Sequence, residues 1–215
     1  MNKQSNKSGK LIIISAPSGT GKTTLVKALC EADPELMVSV SHTTRQRRDG
    51  ETEGIAYHFT DVDSFMEMVD KDHFLEYAKV FDNYYGTSKN TVESQLKNGF
   101  EVILEIDWQG AARIRQLVPE CTSIFILPPS YQALEIRLTG RGEDDSATIQ
   151  RRMRDAINEL SHCNEYKYLV INDDFGQALS ELQGIIAALK ENREIQQKDL
   201  SQFIADLMAE TQNFQ

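Results

Sequence analysis

Cysteine, proline, tryptophan and positive charge are all scarce in this sequence of 215 residues. The three cysteines, Cys30, Cys121 and Cys163, are far apart, odd in number and never in a CxxC pair. A disulfide framework or zinc site is therefore not expected, and buried or half-buried thiols in a reducing compartment are. Long apolar runs are missing as well. Leu11–Ile14, after a polar, lysine-bearing N-terminal stretch, is four residues long. A signal peptide needs about 7–15 apolar residues and a spanning helix about 20, so a cytoplasmic chain is expected. Lysine plus arginine total 23 against 33 acidic residues, a net charge of −10. That balance argues against a sequence-independent nucleic-acid binder and against polybasic membrane attachment. It leaves room for an anionic ligand, because local charge can oppose the net.

What is present begins with size. A chain of this length buries roughly 70% of its surface on folding, so it needs no metal or disulfide staple. Short β-branched and apolar runs recur at Leu11–Ile14, Val38–Val40, Val102–Leu104 with Ile106, Ser123–Leu127 and Tyr168–Ile171. Helical patterns lie between several of them. Alternating elements of this kind predict an α/β fold with a mostly parallel central sheet flanked by helices. Two stretches break the alternation and read as insertions. Residues from about 42 to 97 are polar, aromatic and glycine-bearing, and those from about 131 to 162 are charged and arginine-rich. Pro128-Pro129 punctuates the entry to the second. Two apolar stripes close the chain, Ala178/Leu182/Ile185/Ile186/Leu189 and Leu200/Phe203/Ile204/Leu207, at helical spacing. They read as packing faces, with a dimer helix as the alternative for the second.

Ala16-Pro17-Ser18-Gly19-Thr20-Gly21-Lys22-Thr23 has the spacing of a Walker A loop, with Ala16 at the first glycine position. It follows a predicted strand and opens a predicted helix. Gly19 and Gly21 let the backbone aim successive N–H groups at an anion, and the helix N-terminus adds partial positive charge. Lys22 supplies an ammonium for the β/γ-phosphates, and the Thr23 hydroxyl is placed to ligate Mg²⁺. The motif indicates nucleoside triphosphate binding without saying which reaction follows. Ser41-His-Thr-Thr-Arg45-Gln-Arg-Arg48-Asp-Gly-Glu51 then packs three arginines into four residues. Guanidinium forks recognise phosphate bidentately, and the downstream hydroxyls of Tyr57 and Tyr85 suit one compact phosphate. Five more arginines, Arg137, Arg141, Arg151, Arg152 and Arg154, crowd the second insertion, where i,i+4 pairing with acidic neighbours explains some of them. None of the four histidines reads as a catalytic dyad or a metal cluster.

Together these segments resemble guanylate kinases of bacterial type. The resemblance is carried by Ser15–Thr24, Val38–Glu51, Phe74–Ala78, Asn83–Thr87, Leu104–Gly110, Ile124–Pro129, Arg137–Gly142 and Val170–Phe175, in the family's order. It spans the chain from about Lys10 to Leu189; the first nine residues and those beyond about Glu191 carry no motif. It implies a P-loop fold, as a domain over 9–189, with core segments at about 10–41, 98–130 and 163–189. It further implies a GMP-binding lobe at about 42–97 and a helical lid at about 131–162, while the last apolar stripe makes 190–215 a helical extension.

The resemblance also implies roles. Ser15, Ala16, Pro17, Ser18, Gly19, Thr20, Gly21, Lys22, Thr23 and Thr24 would hold ATP, and Asn172 would line its adenine edge. Arg45, Arg48, Tyr57 and Tyr85 would hold the GMP phosphate, with Glu51 and Gly86 in the same site. Ser41, Glu76 and Thr87 would read guanine. One carboxylate accepts from both N1–H and N2–H₂ of guanine, a donor pair that adenine lacks. Glu105 stands where the family usually has Asp, and Asp107 would organise Mg²⁺ through water or face the GMP side. Lys22, Arg45, Arg137, Arg141 and Arg152 would stabilise the transferring phosphoryl group. The implied activity is ATP + GMP = ADP + GDP, a purine-nucleotide step with Mg²⁺ as cofactor. The implied partners are small molecules, with no nucleic acid and no membrane, in a monomer or homo-oligomer. Two other readings compete: a non-catalytic guanylate-kinase-like module that binds acidic peptides, and a kinase of the same fold with another acceptor. The intact Gly21-Lys22-Thr23 and the lid arginines speak against the first, and the Arg45/Arg48/Tyr85/Glu76 set against the second.

Overall fold

The structure is a computed structural model and describes residues 8–80, 82–140 and 145–212. In chain order the elements are β1 (Leu11–Ser15), α1 (Lys22–Ala32), β2 (Leu36–Val38), β3 (His42–Thr43), β4 (His58–Phe59), α2 (Val62–Asp70), β5 (Phe74–Val80) and β6 (Asn83–Ser88). There follow α3 (Lys89–Lys97), β7 (Glu101–Glu105), α4 (Trp108–Leu117), β8 (Thr122–Leu127), α5 (Tyr131–Thr139), α6 (Ser146–Ser161), a 3₁₀ turn at Cys163–Glu165, β9 (Tyr168–Ile171), α7 (Phe175–Lys190) and α8 (Ser201–Gln212). One sheet has the order β2-β7-β1-β8-β9, and the other β4-β3-β6-β5. The β2–β7 and β8–β9 pairs are parallel, as apolar runs without alternation predict. One strand sits earlier than its sequence reading: Val38–Val40 was expected, and β2 ends at Val38. Ser39 still donates its amide to the Ile103 carbonyl at 3.0 Å, so pairing outlasts the regular strand.

The chain divides into two compact units. One combines the residues up to Ile13 with Asp33–Cys121, and the other combines Ile14–Ala32 with the residues from Thr122 onward. In the first, α2 starts at an Asp61 cap that accepts from the Ser64 amide at 2.8 Å. Its Phe65 is fully buried and stacks on Phe74 at a centroid distance of 4.5 Å. Full burial of such a ring is worth about 2–3 kcal/mol. Gly86 on β6 runs beneath these rings. A Cβ there would lie 2.8 Å from Phe74 Cδ1 and 2.9 Å from Phe65 Cζ, so this packing requires glycine.

In the second unit, Leu25, Val26 and Leu29 form the buried face of α1, which packs with α7. The stripe predicted at the C-terminal end is α8, and it packs on α5 and α6 through Ile204 and Leu207. Glu210 reaches back from α8 and accepts from the Tyr131 amide at the start of α5, at 2.8 Å. Its negative charge complements the positive end of that helix dipole. Cys30, Cys121 and Cys163 form no disulfide. Among the described residues no helix is long and apolar enough to cross a membrane.

Candidate active site

The phosphate loop lies between a buried strand and a helix, as the spacing predicts. β1 ends at Ser15, α1 begins at Lys22, and the turn is closed by the Thr20 amide on the Pro17 carbonyl at 3.2 Å. Gly19 and Gly21 have φ of +88° and +93°, a region that disfavours any residue with a Cβ. Space constrains them too. A Cβ on Gly19 would meet Leu138 at 3.0 Å, and one on Gly21 would meet Asn172 Nδ2 at 2.7 Å.

The sequence missed what braces this loop. Asn172 follows β9, is buried, and donates from Nδ2 to the Thr20 carbonyl at 2.6 Å. Arg137 on α5 donates to the same carbonyl at 3.3 Å and to the Asn172 carbonyl at 3.0 Å. The Asn172 side chain thus braces the loop. Arg137, expected on transferring phosphates, is held against the loop backbone. Arg152 is half-buried on α6, while Arg151 and Arg154 are exposed there. Arg141 lies outside the described residues.

The arginine loop and the aromatic hydroxyls converge in the other unit. Arg45 donates to Glu51 Oε1 at 2.6 Å, and the Arg48 amide donates to Glu51 Oε2 at 2.8 Å. Burial pushes the Glu51 carboxyl up, but the Arg45 and Arg48 hydrogen bonds outweigh it and hold the group below its usual value. Glu51 thus ties the Arg45 guanidinium to the Arg48 backbone. The Arg45 guanidinium lies over the Tyr57 ring at 5.4 Å, and Tyr57 meets Tyr85 edge-on at 5.8 Å. Burial, assisted by Tyr85 and Glu105, pushes the Tyr57 hydroxyl up to about 12, so it stays a neutral donor. Glu105, half-buried at the end of β7, thus belongs to this cluster.

Glu76 is the other focus. β5 and β6 pair antiparallel, and a bulge between Phe74 and Glu76 sets Glu76 opposite Thr87. Bulges commonly re-aim a side chain beside a site. The Thr87 hydroxyl donates to Glu76 Oε1 at 2.5 Å, and the carboxyl is 3% exposed. Burial pushes its pKa up to about 7; the Thr87 bond opposes this, and the nearby Asp107 charge adds to it. Arg113, not singled out in the sequence, lowers it from a distance and lies over the Tyr77 ring at 5.6 Å. Asp107 caps α4, its Oδ1 accepting from the Gly110 amide at 2.9 Å and its Oδ2 from Gln109 at 3.3 Å. Ser41 enters β3, where its carbonyl accepts from the His58 amide at 2.9 Å. Sequence reading also passed over a histidine pair. The His42 and His58 rings lie 4.8 Å apart, and His58 Nδ1 is 3.1 Å from Glu53. Among the described residues no three metal-ligating His, Cys, Asp or Glu side chains cluster.

The guanylate kinase family model matches residues 8–189. The chain belongs to the guanylate kinase family. It is 54% identical over 200 residues to a guanylate kinase of Methylococcus capsulatus, covering 93% of this chain and 98% of that one. It is 57% identical over 180 residues to a guanylate kinase of Hydrogenovibrio crunogenus, covering 84% and 88%. The crystal structure of guanylate kinase from Anaplasma phagocytophilum superposes with a TM-score of 0.72 at 33% identity, covering 85% of this chain and 87% of that one.

Proposed function

We propose that this chain transfers the γ-phosphoryl group of ATP to GMP, giving ADP and GDP. The observation that carries the acceptor is Glu76, a buried carboxyl whose Oε1 is fixed by Thr87. Its Oε2 faces the first turn of α4, 2.7 Å from where a Cβ on Gly110 would lie. Guanine offers a matching donor pair, and adenine would leave the buried acceptor unpaired. Hydrogen-bonding sites of that kind reject the wrong partner by about 10⁴–10⁵-fold. Arg45, Arg48, Tyr57 and Tyr85 take the GMP phosphate, with Glu51 holding the Arg45 guanidinium and the Arg48 backbone in place.

The residues from Ser15 to Thr24 cradle the ATP phosphates, and Lys22 neutralises charge on the one that moves. The acceptor oxygen of GMP is already anionic near neutral pH, so no general base is needed. Catalysis is in-line positioning plus electrostatic stabilisation. Arg137 stiffens the loop from its two carbonyl contacts, and we assign Arg152 and Arg141 to neutralising charge on the transferring phosphate. Mg²⁺ bound with ATP supplies further neutralisation of phosphate charge. The Thr23 hydroxyl in the first turn of α1 fits it as a hard oxygen ligand. Asp107 has both oxygens engaged in the α4 cap, and we assign it to the GMP side. We assign the chain to the cytoplasm, where both substrates are available. The test is coupled ADP release with ATP against GMP, AMP, CMP and UMP. Release with GMP alone is expected, and its absence sinks the assignment.

A further inference from the structure

Gly110 occupies the first turn of α4, is buried, and has an ordinary negative φ, so its backbone would accept any residue. Glycine is a poor helix former and alanine the best. Local preference therefore argues against glycine here, and something else must require it. An added Cβ would sit 2.7 Å from Glu76 Oε2, 3.1 Å from Glu76 Cδ and 3.2 Å from Asp107 Oδ1. The end of a long side chain normally yields to such a contact. Glu76 has little freedom to do so, because it is 3% exposed and its other oxygen is tied to Thr87 at 2.5 Å. A methyl at residue 110 would push away the carboxylate oxygen that is left for the base.

We infer that Gly110 is a specificity-determining residue, whose missing side chain leaves the space in which Glu76 presents Oε2 to the guanine N1–H and N2–H₂ donors. The inference rests on the reading of Glu76 as the guanine acceptor. It also predicts which substitutions compensate: a shorter acid at residue 76 withdraws from the methyl group.

The test measures kcat and KM for GMP, for IMP (which lacks the 2-amino group) and for ATP in four chains: unmodified, Gly110→Ala, Glu76→Asp, and the double variant. Gly110→Ala is expected to raise KM for GMP about tenfold or more and to shrink the GMP-over-IMP preference by a similar factor. KM for ATP is expected to stay within about twofold. In the Glu76→Asp background the same substitution should add little, a non-additivity that marks direct contact. Gly184→Ala is the control. It lies in α7 with nothing within 4 Å of its added Cβ, and should leave all constants unchanged. An unchanged GMP-over-IMP preference in Gly110→Ala overturns the inference, as does an equal loss in both backgrounds. A Gly110→Ala chain that does not fold, and is not restored by Glu76→Asp, overturns it as well, because helix packing would then demand the glycine. Glu76→Gln separates the two levels. If it leaves KM for GMP unchanged, the guanine reading itself fails. If it weakens GMP while Gly110→Ala does not, only the present inference fails.

Discussion

The phosphate loop and the lobe to which we assign base reading are built by different means. The loop is backbone geometry. Its key features, a strand end, two glycines at positive φ and a helix start, lie within about ten consecutive residues. The lobe is side-chain geometry. Glu76, its partner Thr87 and the Arg45/Arg48 pair come from a bulged strand, its neighbour and a turn, placed by sheet register. Backbone sites tolerate change around them and fail when the loop itself is altered. Side-chain sites fail at single contacts, and they fail selectively.

The largest expected effect breaks the loop side. Lys22→Ala should lower kcat about 10³-fold or more, while GMP binding measured by calorimetry persists. An equal loss of GMP affinity would contradict the division of labour. Next comes the lobe. Glu76→Gln should raise KM for GMP about 10²-fold with KM for ATP little changed.

Glu76→Gln also carries a stability signature. The folded carboxyl is raised from 4.5 to about 7. Below 4.5 it is neutral in both states and costs nothing. As pH rises from there through about 7 the unfolded chain gains charge first, so stability falls, and the loss levels off above that. The variant should lack this slope, so its Tm advantage over the unmodified chain should grow between about pH 5 and pH 8. GMP affinity should likewise fall more steeply below about pH 7 in the unmodified chain than in the variant, where only the phosphate of GMP titrates in this range. A pH-independent Tm difference would remove Glu76 as the buried titrating group.

Smaller effects sharpen the loop side. Asn172→Ala leaves the Thr20 carbonyl with Arg137 alone, costing about 1–3 kcal/mol of stability and raising KM for ATP more than KM for GMP. Parallel rises in both constants would point to global loosening. Smallest is Glu210→Gln, which removes a charge from the α5 N-terminus at an expected cost of about 0.3–1 kcal/mol. Thermal unfolding would register it, with GMP kinetics unchanged.

The sequence, read alone, announced the loop because its conformation is encoded by contiguous residues. Gly19 and Gly21 take positive φ wherever that turn forms, and an apolar strand before it and an amphipathic helix after it follow from local pattern. The arginines that oppose a net charge of −10 were legible in the same way. Register was not. The bulge that sets Glu76 opposite Thr87 depends on how β5 meets β6. The Asn172 bond to Thr20 joins residues 152 positions apart. The space at Gly110 exists only because α4 packs beside β5. Local sequence sets dihedral angles and periodicities. Which buried acceptor meets which donor is settled by long-range packing, where a displacement of one residue along a strand reverses the face its side chains present.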